Sequence, residues 1–131
     1  MKKKLSITRV AICAAVSALL AVSVSAALDR ATGKVDGYST EGLIYNGLSG
    51  GYCASTYVNA NANYSEVWAK VELVVSGENP CKEKYGTSNS VDTDECTTTS
   101  YVASVRGYHY VETVSGDNWG SKNTSITNYL T

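Results

Sequence analysis

Phenylalanine is absent from this chain, and histidine, proline and methionine each occur once. With a single imidazole, His109, and no C-x-x-C spacing among the cysteines, the sequence lacks the usual short-spaced ligand sets of a zinc site, so no metal or other cofactor is expected. The scarcity of methionine and leucine removes the ordinary filling of a helical bundle. Long apolar runs are missing as well, except at the start. There "MKKKLSITRVAICAAVSALLAVSVSAA" sets Lys2, Lys3, Lys4 and Arg9 before an apolar stretch from Val10 to Val22, followed by small residues. A basic head, an apolar middle and a small-residue exit make a helical secretory signal peptide over residues 1–26, with cleavage after Ala26. An uncleaved anchor competes with this reading, since Val10 to Leu28 nearly spans a bilayer, but Ser17, Ser23 and Ser25 and the small-residue exit favour cleavage.

Residues 27–131 then form one exported, extracellular domain, with no membrane association once the leader is gone. A domain of that size buries about 65% of its extended surface, which leaves a thin core. Loss of the leader also removes four basic residues and no acidic one, leaving seven against twelve and a formal net charge of −5. That balance speaks against nucleic acid, which is held by neutralising phosphates, and against an anionic membrane as the main partner.

What is present is tyrosine, ten of them, with two tryptophans and abundant serine and threonine. Tyr, Thr and Val suit pleated, half-buried surfaces, so an all-β domain is expected. In "NYSEVWAKVELVVSG", Asn63 to Gly77, Val67, Ala69, Val71, Leu73 and Val75 alternate with Tyr64, Glu66, Trp68, Lys70 and Glu72, the period of a strand with one face in a core. "TSYVASVRGYHYVETVSG", Thr99 to Gly116, alternates likewise. Val105, His109 and Val111 share one side, Arg106, Tyr108, Tyr110 and Glu112 the other, and Gly107 marks an expected bend or bulge. Shorter strands are expected at Gly37 to Asn46, Gly51 to Asn61 and Thr124 to Leu130, with hairpin turns at "NGLSGG" and "GDNWG". These elements predict a small antiparallel β-sandwich, or a partly open barrel, of about five to six strands.

The polar stretch from Glu78 to Thr98 reads as a long loop bracketed by Cys81 and Cys96. A disulfide between those two would remove about 3 kcal/mol of unfolded-state freedom from a loop of about fifteen residues. Cys13 departs with the leader, and Cys53 is left as an unpaired thiol, either buried in a monomer or linking a dimer, with pairing of Cys53 to Cys81 or Cys96 as the remaining alternative.

Catalytic readings fare poorly. "GLSGG" matches the nucleophile-elbow pattern at Ser49, with Asp92, Asp94 and His109 downstream, but a strand rather than a helix follows it and the domain is too small for the large parallel sheet an elbow needs. "DTDE", Asp92 to Glu95, offers oxygen ligands without the spacing of a calcium loop. No catalytic residue is assigned. The aromatic residues carry the functional expectation: Tyr64, Trp68, Tyr108 and Tyr110 fall on the outward faces of the two long strands, the kind of surface that stacks sugars or seats a partner protein. The leading expectation is a secreted, non-catalytic module binding a glycan, cell-surface or protein partner. A secreted antimicrobial, bacteriocin-like factor ranks second and a small hydrolase last.

Overall fold

A computed structural model describes residues 27–127, so the expected signal peptide lies outside the described residues. The described residues are all-β: β1 (Ala27–Val35), β2 (Tyr38–Asn46), β3 (Tyr52–Val58), β4 (Tyr64–Val74), β5 (Cys81–Gly86), β6 (Ser90–Asp92), β7 (Ser104–Thr113) and β8 (Asn118–Thr127). They form two four-stranded antiparallel sheets, ordered β1-β2-β3-β6 and β5-β4-β7-β8. The count exceeds the five to six strands expected from the sequence for a physical reason. β1 and β5 are edge strands with little or no buried alternation, and β6 has only three residues. Two of the additional strands, β5 and β6, lie within the stretch that read as one long loop.

The sheets face each other across a core whose members alternate along each strand. Ile44, Ala54 and Val58 come from the first sheet; Val67, Ala69, Val71, Leu73, Val105, Val111 and Trp119 come from the second. β4 and β7, the central pair of the second sheet, run in register from Glu66↔Glu112 to Val74↔Ser104, and each buries every second residue. The strand period read from the sequence therefore holds for both.

Two irregularities depart from it. No bulge occurs at Gly107, which pairs with Val71 on one side and Thr124 on the other; the β7–β8 ladder slips instead between His109 and Tyr110. The second irregularity lies between Tyr64 and Glu66, where one extra residue in β4 reverses the facing of everything before it. Tyr64 is consequently buried, 5% exposed, and its hydroxyl donates to the Ala60 carbonyl at 2.7 Å.

Close approach between the sheets depends on two glycines. A Cβ on Gly42 of β2 would enter the imidazole of His109, and one on Gly33 of β1 would enter the indole of Trp119. The larger side chain comes from the second sheet in each case, and the first sheet supplies the space.

Candidate functional site

His109 projects from β7 into the core, where it is wholly buried. Its Nδ1 lies 3.0 Å from Thr56 Oγ1, and the Thr56 hydroxyl donates to the Trp68 carbonyl at 2.8 Å, so one imidazole and one hydroxyl tie β3 to both central strands of the opposite sheet. Burial pushes the imidazole pKa down to about 3, against smaller opposing effects of a hydrogen bond to the Ser55 backbone and the Asp29 carboxylate. Ser49, by contrast, is exposed in the β2–β3 turn, where its backbone N–H and that of Gly51 donate to the Glu95 carboxylate at 3.0 and 2.6 Å. The serine and the histidine do not form a nucleophile–base pair. The acidic run from Asp92 to Glu95 is likewise divided: Asp92 accepts from the Tyr45 hydroxyl at 2.9 Å, Glu95 grips the β2–β3 turn, and Asp94 is exposed.

The cysteines differ from expectation. Cys81 and Cys96 are both free thiols and are not joined to each other. Cys81 pairs with Glu72 at the exposed edge of the second sheet, whereas Cys96 is buried beside its bridge partner Tyr52; burial and, to a lesser degree, the neighbouring Cys81 raise its thiol pKa, but the two are not bonded. Cys53, expected to be the unpaired thiol, is fully buried on β3 and is not a free thiol.

The outward face of the second sheet gathers the aromatic residues. Trp68 on β4 stands directly opposite Tyr85 on β5 and Tyr110 on β7, and Tyr108 lies one same-face position along β7. The Trp68 and Tyr85 rings are stacked with centroids 6.0 Å apart and 26° between planes; Trp68 and Tyr108 are 6.5 Å apart at 32°. Three of the four expected residues are thus brought together. Tyr64 is not among them, because the extra residue in β4 turns it inward, which corrects its assignment to this surface. Tyr85 takes its place and is 59% exposed. Strand alternation did not reveal it, since every residue from Cys81 to Tyr85 is exposed. The turn residues Gly77 and Pro80, just after β4, were the available sign that the chain doubles back into a hairpin.

Charges frame these rings. Trp68 Nε1 donates to Glu83 Oε1 at 2.9 Å, and the Tyr85 hydroxyl donates to the same oxygen at 3.2 Å. The Tyr108 hydroxyl donates to Glu72 Oε1 at 3.2 Å and the Tyr110 hydroxyl to Glu112 Oε1 at 3.0 Å. Partial desolvation, with the Glu112 hydrogen bond and charge, raises the Tyr110 pKa and keeps that phenol protonated as a donor. Arg106 lies 3.7 Å from Glu72, and the Lys70 ammonium sits 5.5 Å from the centre of the Tyr108 ring. The result is a row of π-surfaces crossing three strands, each ring fixed by a neighbouring carboxylate.

No family model, curated protein or solved structure matches this chain.

Proposed function

We propose that this chain is an exported, non-catalytic binding module that engages a glycan or another cell-surface partner through Trp68, Tyr85, Tyr108 and Tyr110. One observation carries the reading: the rings at 6.0 and 6.5 Å spacing form a contiguous aromatic row on a face turned away from the core, next to a strand edge that is exposed along its length. Rings used only to stabilise a sheet can be buried by their neighbours, but here Tyr85 leaves more than half of its surface in water. Hydrogen bonds to Glu72, Glu83 and Glu112 hold the side chains in place before a ligand arrives, which lowers the ordering cost of binding. Export follows from the basic and apolar leader and supplies the compartment in which such a partner is met.

A glycan array together with pull-down on cell-wall material, using the purified full-length chain, tests the reading. Retention is expected, and Trp68→Ala and Tyr108→Ala are each expected to weaken it about tenfold or more, as for an aromatic anchor. Retention that survives both substitutions would remove this face from consideration.

A further inference from the structure

The donors on the aromatic face are already committed. The indole N–H and the hydroxyls of Tyr85, Tyr108 and Tyr110 all point at carboxylates, and in every case the accepting atom is Oε1 of Glu72, Glu83 or Glu112. The second oxygen of each of those carboxylates makes no hydrogen bond or ion pair among the described residues. Both cations on the face are engaged too, Arg106 with Glu72 and Lys70 with the Tyr108 ring. Glu66 lies on the same outward side, opposite Glu112, and adds a fourth carboxylate. The face therefore offers a ligand π-surface and hydrogen-bond acceptors, with no uncommitted cation among these residues.

Resting on the binding reading above, we infer that the ligand is an uncharged, hydroxyl-rich glycan, its apolar ring face on Trp68 and Tyr85 and its hydroxyls donating to the second carboxylate oxygens of Glu83 and Glu72. A sugar hydroxyl donating to a carboxylate makes a charge-assisted bond, stronger than one to a neutral acceptor. A phosphorylated, sulfated or uronic-acid chain brings further acceptors and a like charge to a surface that already carries four carboxylates, and is rejected electrostatically. The row of rings lies on an open sheet rather than in a cleft, so the fit is to an extended chain laid across β5, β4 and β7.

Binding of the full-length chain to neutral matrices (cellulose, chitin and β-1,3-glucan), an anionic matrix (calcium pectate) and a cationic one (chitosan) tests this at two salt concentrations. The expected result is retention on at least one neutral matrix, at least about tenfold above pectate, weakened about tenfold by Glu83→Gln through loss of one charge-assisted acceptor. Near-UV circular dichroism of the variant confirms that its rings remain packed. Retention on pectate or chitosan alone, lost with Trp68→Ala, would overturn the neutral-glycan inference while keeping the surface. Undiminished neutral binding by Glu83→Gln would also overturn it. No retention on any matrix, with none on the glycan array, would instead count against the glycan reading of the face itself.

Discussion

The two sheets share a core yet treat their outer faces in opposite ways. In the second sheet, β4 and β7 hide one face and offer rings and charges on the other. In the first, Leu43, Tyr45, Cys53 and Ser55 alternate with the core residues Ile44 and Ala54 and are nevertheless at most 1% exposed. Both faces of β2 and β3 are therefore buried along their central residues, whereas the central strands of the other sheet have one buried face. Freedom to carry polar and aromatic chemistry falls to the strands that are sealed on one side only, and the candidate site is found there. The first sheet contributes small residues and a hydroxyl to the arrangement: Gly42 makes room for His109, and Thr56 hydrogen-bonds it.

Substitutions that strike each face in turn test this contrast. The largest effects are expected from Leu43→Ala and Leu73→Ala, which remove buried side chains from opposite sheets and should each cost about 2–5 kcal/mol in chemical denaturation of the full-length chain. A cost below about 1 kcal/mol for Leu43→Ala would mean that the outer face of the first sheet is not sealed, and the contrast would fail. Next comes acidity. His109 is neutral in the fold with a pKa lowered to about 3, whereas an unfolded histidine titrates near 6.5. Below about pH 6.5 the unfolded chain takes up a proton that the folded chain refuses, so stability falls as the pH drops towards 3, with a slope of about 1.4 kcal/mol per pH unit. Asp92, whose carboxyl is raised by burial, acts in the opposite sense, gaining stability as it protonates with falling pH. The difference between wild type and His109→Gln, followed by denaturation at pH 7, 5 and 4, isolates the histidine; a difference that does not change with pH would show that the imidazole is already solvated.

Smaller effects on stability are expected at the outer face of the second sheet. Trp68→Ala and Tyr108→Ala should change stability by about 0.5–1.5 kcal/mol, the scale of exposed aromatic pairs, while weakening retention on the ligand matrix about tenfold or more. Equal losses of stability and binding would make the row a structural prop. The smallest expected effect concerns the thiols. Cys81 is exposed and Cys96 is buried, with a thiol pKa raised chiefly by that burial and further by Cys81, so maleimide should label Cys81 in the native protein and reach Cys96 only on unfolding. Mass spectrometry of peptides after timed labelling separates the two.

How far the sequence discloses this arrangement follows from the same contrast. Period-two alternation is legible where one face is wet, so "VWAKVELV" and "VRGYHYVET" yield their strands, the inward placement of His109 and the shared outward side of Trp68, Tyr108 and Tyr110. Where both faces are dry, as in "GLIY" and "YCAS", periodicity identifies a strand but cannot say which side meets the core. Where both are wet, as in "CKEKY", no pattern exists to read, and Tyr85 escapes notice. The cysteines fail for another reason. Bracketing a polar segment says that two thiols flank it, but not that one faces water and the other the core.

The extra residue between Tyr64 and Glu66 works as a selector for what the molecule shows its surroundings. In strict alternation Ser65 would take the inward place opposite Thr113 and Tyr64 would stand on the side that bears Trp68; with Ser65 as the extra residue that place goes to the phenol, whose hydroxyl reaches the Ala60 carbonyl. Deleting Ser65 would therefore leave Tyr64 in the core and the outward face of Glu66 and Trp68 unchanged, because the residue removed is the one outside the ladder.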